Sequence, residues 1–176
     1  MNTANKLTIF RVILVPFFVL FMLYNITDYS RIIALIIFII ATITDHLDGY
    51  VARKYNMVTS FGKFMDPIAD KLLVSSALIC LTALDEVPAW AVIIIILREF
   101  AVSGIRLVAA DNGSVIAASS WGKAKTVSQM VMIIIFLLNI PQFYILSQIS
   151  LYAAVILTIV SMIDYLIKNK TVIRFK

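Results

Sequence analysis

Residues 31–84 read RIIALIIFIIATITDHLDGYVARKYNMVTSFGKFMDPIADKLLVSSALICLTAL, two apolar runs on either side of a polar centre that carries Asp45, Asp48, Asp66 and Asp70. Apolar runs of this kind call for lipid as the solvent, because a helix of about 20 apolar residues spans the hydrocarbon core. The rest of the chain agrees. Of its 176 residues 62% are hydrophobic, and the mean hydropathy is +1.00, beyond the usual apolar share of soluble domains.

Working outward from that stretch, hydropathy predicts spans at Thr8 to Tyr24, Arg31 to Val51, Asp66 to Leu84, Pro88 to Ala109, Lys123 to Asn139 and Gln148 to Ile167. The expected fold is therefore an all-α integral membrane protein, a six-transmembrane-helix bundle forming a single domain over residues 1–176. Turn chemistry separates the spans: Asn25 to Asp28 and Asp85 to Pro88 are polar, Asp111-Asn112-Gly113 favours left-handed backbone, and Pro141 interrupts the approach to the sixth span. Lys6 and Arg11 before the first apolar run resemble the start of a signal peptide, but no small-residue cleavage site follows, so the run is read as a mature helix. Cys80 has no partner cysteine and reads as a small buried hydrophobe.

Charge sets the expected orientation. Lys6, Arg11, Arg53, Lys54, Lys63, Lys123, Lys125, Lys168, Lys170, Arg174 and Lys176 fall on one side, while the opposite turns hold Arg31 beside Asp28, Asp85 and Glu86. By the positive-inside rule both termini are cytoplasmic. The net charge of +5 then faces an anionic leaflet, which points to membrane lipids as partners and not to nucleic acid. The expected location is the cell membrane, as a multi-pass protein with both termini on its cytoplasmic face.

The aspartates are spaced for convergence. At about 100° per residue, Asp45, Asp48, Gly49 and Ala52 share one face of the second helix, and Asp66 and Asp70 share one face of the third. A short cytoplasmic connection makes the two helices antiparallel neighbours. An ionised aspartate at a helix centre costs about 2.5–3.5 kcal/mol on the insertion scale, and clustering adds mutual repulsion. Divalent cations relieve it, and hard oxygen ligands suit Mg²⁺ or Mn²⁺. His46 lies off this face and reads as a packing or interfacial residue. Gly49 and Ala52 leave room for a bulky ligand, or for close helix packing.

The pattern Asp45-x₂-Asp48-Gly49-x₂-Ala52-Arg53-x₈-Gly62-x₃-Asp66-x₃-Asp70 resembles the signature of the CDP-alcohol phosphotransferase family at every defined position. The resemblance implies that Asp45, Asp48, Asp66 and Asp70 hold two divalent cations, with Asp70 also acting as general base. It implies that Gly49, Ala52, Arg53 and Gly62 receive a CDP-linked lipid, Arg53 supplying charge to the diphosphate. Asn5-x₂-Thr8-x₂-Arg11 resembles the family's nucleotide-contacting segment, although the same residues suit a helix cap and an interfacial anchor. A homodimer is implied as well.

The acceptor has to be read from the second half. Arg98, Glu99 and Arg106 lie in the fourth span, and the fifth opens with Gly122-Lys123-Ala124-Lys125-Thr126. Angular position pairs Glu99 with Arg106 across seven residues and leaves Arg98 in need of another anion. Arg98, Arg106, Lys123 and Lys125 thus form a candidate pocket for an acceptor bearing a phosphate. These segments resemble the branch of the family that makes phosphatidylglycerol phosphate. The implied reaction transfers the phosphatidyl group of CDP-diacylglycerol to sn-glycerol 3-phosphate and releases CMP. The alternatives are another acceptor (inositol phosphate, serine or phosphatidylglycerol) or, from a different class, an ion-coupled transporter. Intramembrane carboxylates also suit a transporter, but the chain has neither an inverted repeat nor a broken-helix pair.

Overall fold

The computed structural model describes residues 3–24, 26–54, 60–111, 116, 117 and 119–170, the side chains of 3–6, 45–54, 60–67, 70 and 111 excepted. Every regular element among them is helical: α1 (Thr3–Leu23), α2 (Ser30–Lys54), α3 (Ser60–Ala83), α4 (Ala89–Asp111), α5 (Ser120–Leu138), a 3₁₀ turn (Pro141–Phe143) and α6 (Tyr144–Lys168). The order is the expected one, with longer helices than the apolar spans alone. Two stretches, Ser120–Leu138 and Pro141–Lys168, are long and apolar enough to cross a membrane. In α4 the charges Arg98, Glu99 and Arg106 interrupt the apolar run. The chain forms two compact units, Met1–Glu86 and Val87–Lys176.

The ends of the helices follow from local chemistry. After α3, Asp85 takes a left-handed conformation with φ 57°. The Asp85 amide then donates to the Thr82 carbonyl and the Glu86 amide to the Leu81 carbonyl, both at 3.0 Å, the bond pattern of a Schellman cap. Ser119 caps α5 by accepting from the Gly122 amide at 3.1 Å, and Asn139 ends it at φ 48°. Pro141 opens the short 3₁₀ turn, where its missing N–H costs nothing.

In the first unit α1 packs on both α2 and α3. Its inner face repeats as Thr8, Arg11, Val15, Phe18 and Met22, at helical spacing. Phe18 meets Phe38 of α2 with ring centroids 6.1 Å apart. Ala34, Ala41, Ala69 and Ala77 are fully buried, and such small residues let helix backbones approach closely in lipid. At the far end Arg31 forks onto Glu86, Nη1 donating to Oε1 at 2.5 Å and Nη2 to Oε2. The single cation predicted on that side is therefore neutralised inside its own unit.

In the second unit α6 packs against both α4 and α5, burying a mixed face on which Leu151, Ala154 and Val155 stand beside polar groups and exposing an isoleucine-rich one. Ser147, Thr158, Ser161 and Tyr165 are buried, while Ile145, Ile149, Ile156, Ile159, Ile163 and Ile167 are exposed. In α4 the buried face carries Arg98 together with Ala91, Val92, Ile95 and Val102, while Ile93, Leu97 and Phe100 are exposed. Lipid explains both faces, since apolar side chains lose nothing there and polar groups must be satisfied inside. Hydroxyls meet that demand along their own helices. Thr158 donates to the Ala154 carbonyl at 2.7 Å, and Ser147 donates to the Phe143 carbonyl at 3.0 Å.

Candidate active site

The expected metal and lipid-binding positions fall on two helices of the first unit. Asp45, Asp48, Gly49, Ala52 and Arg53 lie on the last turns of α2, and Gly62, Asp66 and Asp70 on the first turns of α3. Their side chains lie outside the described residues, as does that of Asn5 on α1. The backbone is continuously helical through all of them, so the three- and four-residue spacings do put the carboxylate pairs on single helix faces. Four hard oxygen donors at that spacing suit divalent cations. Among the described residues no group of His, Cys, Asp or Glu could hold a metal ion.

Thr8 and Arg11 are described, and both are buried on the inner face of α1, Arg11 completely. A guanidinium in that place is no interfacial anchor. An interfacial Arg would extend its head toward water, whereas this one sits on the helix face that also carries Val15 and Phe18.

The candidate acceptor residues gather in the second unit. Lys125, 1% exposed, and Arg98, 8% exposed, point inward from α5 and α4. Glu99 joins them: its Oε1 accepts from Arg98 Nη1 at 3.0 Å and also from Lys125 Nζ. This corrects the expected pairing of Glu99 with Arg106. Helical angle alone set that pairing, yet the long Arg98 side chain bends back across its neighbour, and α5 brings in Lys125 from 26 positions further along. Arg106 instead lies over the ring of Tyr165, 5.8 Å from its centroid, a cation–π contact worth about 0.5–1 kcal/mol. Lys123 is exposed at the start of α5.

Arg98 is held further by α6. Its Nε donates to Ser161 Oγ at 3.2 Å, and Ser161 donates onward to the Thr158 carbonyl at 3.0 Å. A Cβ built on Gly122 would stand 3.5 Å from Arg98 Nη2, so the guanidinium lies against the first turn of α5. Gln129, one turn deeper than Lys125, is buried, and its Nε2 has no hydrogen-bond partner among the described residues; the same is true of the Tyr165 hydroxyl. Ser161, Tyr165 and Gln129 were not among the expected site residues. The signal that could have found Ser161 and Tyr165 is a row of polar residues at three- and four-residue spacing within the isoleucine-rich run of α6.

The chemistry of this cluster is that of an anion site. Among the described residues two cations share one carboxylate in a largely buried set of donors, and the N-terminus of α5 adds its partial positive charge beside them. A phosphate monoester matches that field.

Comparison with known proteins places the chain in a family. The family model described as CDP-alcohol phosphatidyltransferase matches residues 1–160. The CDP-diacylglycerol–glycerol-3-phosphate 3-phosphatidyltransferase of Bacillus subtilis is 47% identical, the match covering 96% of this chain and 95% of that protein. Proteins of the same name from Haemophilus influenzae, 46% identical over 94% of this chain and 91% of theirs, and from Rickettsia bellii, 40% identical over 93% of each, are similar along their lengths. The chain belongs to the CDP-alcohol phosphatidyltransferase family.

Proposed function

We propose that the chain transfers the phosphatidyl group of CDP-diacylglycerol to sn-glycerol 3-phosphate, giving phosphatidylglycerol phosphate and CMP. The similar proteins from three bacteria carry the name of this reaction. The observation that carries the acceptor is the buried Arg98–Glu99–Lys125 cluster, a cationic site that an alcohol without a phosphate would not need.

Enzymes of this family generally use divalent cations. In this reading Asp45, Asp48, Asp66 and Asp70 hold two of them, Mg²⁺ or Mn²⁺, which when bound supply positive charge to the diphosphate oxygens. Asn5, Thr8 and Arg11 bind the nucleotide. Gly49, Ala52 and Gly62 leave room for the CDP portion, and Arg53 adds charge beside the diphosphate. Arg98 and Lys125 hold the acceptor phosphate, with Arg106 and Lys123 at the margin of the pocket. Asp70 accepts the proton of the glycerol 1-hydroxyl as that oxygen bonds to the lipid-bearing β-phosphorus. The bond from that phosphorus to the CMP oxygen breaks in the same displacement, and CMP leaves with the electron pair.

The same reading places six spans in a cytoplasmic membrane, both termini and the active site on the cytoplasmic face, and two chains in a homodimer. The apolar exposed faces of α4 and α6 support a lipid surround. The test is an acceptor panel with purified protein and CDP-diacylglycerol. Release of CMP with glycerol 3-phosphate, and not with serine, inositol phosphate or phosphatidylglycerol, is the expected result. Release with another acceptor alone would reassign the alcohol, and cation transport without CMP release would replace the reading with a transporter.

A further inference from the structure

We propose that Glu99 is a positioning residue for the acceptor phosphate: one carboxylate oxygen holds Arg98 and Lys125 together so that cations from two helices act on a single anion. The inference rests on the acceptor reading above and assigns a role to the one acidic member of the cluster.

Three observations carry it. Glu99 Oε1 accepts from both cations, Arg98 Nη1 at 3.0 Å and Lys125 Nζ. Arg98 Nε is fixed separately by Ser161 at 3.2 Å, so Glu99 and Ser161 together set the plane of the guanidinium. Its remaining nitrogen, Nη2, has no hydrogen bond among the described residues and lies at the first turn of α5, 3.5 Å from where a Gly122 Cβ would stand. A carboxylate serving only to pin α4 to α5 would need Lys125 alone. Here it also orients the adjacent arginine, and among the described residues one carboxylate serves two cations, an arrangement attractive to a phosphate.

Removing the carboxylate frees two like charges to move apart, because their mutual repulsion is no longer offset. The phosphate then has to assemble its own site, and the loss falls on acceptor binding rather than on the chemical step. CDP-diacylglycerol binding does not depend on these groups.

The test uses the full-length protein in detergent micelles, measuring CMP release with each substrate varied in turn and with inorganic phosphate as a competitor of the acceptor. Glu99→Gln is expected to raise the KM for glycerol 3-phosphate about tenfold or more, and the inhibition constant of phosphate in parallel, with kcat and the KM for CDP-diacylglycerol within about twofold. Glu99→Asp keeps the charge on a shorter stem and is expected to lie between the wild type and Glu99→Gln. A folded Glu99→Gln protein with an unchanged or lowered acceptor KM, or with both substrates affected alike, would overturn the proposal. If Glu99→Gln does not fold, Glu99→Asp decides: an acceptor-selective rise in KM supports positioning and an unchanged KM overturns it. Failure of the acceptor reading is distinguishable, because the wild-type protein would then show no CMP release with glycerol 3-phosphate.

Discussion

Lys125→Gln isolates what one buried cation contributes. Lys125 is 1% exposed, and its Nζ donates to Glu99 Oε1. Glutamine is one bond shorter, keeps an amide donor and removes the charge. Breaking a buried ion pair outright costs about 3–5 kcal/mol because the abandoned charge is left without compensation. Here Glu99 retains Arg98 at 3.0 Å, so the carboxylate is not orphaned. The relevant scale is instead one hydrogen bond to a charged group, about 1.5–3 kcal/mol. If the acceptor phosphate takes up that bond, the same energy becomes an increase of about 10- to 150-fold in the KM for glycerol 3-phosphate. The assay is CMP release at saturating CDP-diacylglycerol with the acceptor varied, alongside thermal unfolding to confirm that the variant is folded. An unchanged acceptor KM in a folded variant, or an equal loss for both substrates, would show that Lys125 anchors α5 and does not select the alcohol.

Two further outcomes separate chemistry from architecture. Asp70→Asn is expected to retain CDP-diacylglycerol binding while turnover falls by about 10²-fold or more, since an amide cannot accept the hydroxyl proton; equilibrium binding of the CDP-lipid beside a turnover assay checks it, and near-normal turnover would remove Asp70 from the role of base. Arg31→Gln breaks the fork onto Glu86, a pair 24% and 23% exposed. It is expected to lower stability by about 1 kcal/mol or less, discounted for solvent screening, and to leave the acceptor KM unchanged, as thermal unfolding and kinetics together would show.

The helix order was legible because hydropathy marks apolar runs, but helix ends were less so. α1 begins at Thr3 and α3 at Ser60, ahead of the predicted Thr8 and Asp66. A helix continues through polar turns around Lys6 and Lys63 that hydropathy leaves out. The aspartate spacing could be read directly, since three- and four-residue intervals mean one face wherever the backbone is helical. The acceptor cluster could be read only as a set of cations. Glu99 and Lys125 lie on different helices, and their meeting depends on packing that no local pattern encodes. Helical angle also misassigned the Glu99 partner, because it locates Cβ atoms and ignores the reach of an arginine. The buried row Thr158, Ser161 and Tyr165 escaped notice because hydropathy scores α6 as one apolar segment, and which of its faces is buried emerges only once exposure is known.

The central claim is a metal-dependent transfer of a phosphatidyl group to a phosphorylated glycerol, and the most direct measurement is CMP release by the purified protein with and without each component. Release is expected only when CDP-diacylglycerol, glycerol 3-phosphate and Mg²⁺ or Mn²⁺ are all present, with loss on chelation and recovery when the cation is returned. Undiminished CMP release from metal-free protein, or release that does not depend on glycerol 3-phosphate, would contradict it.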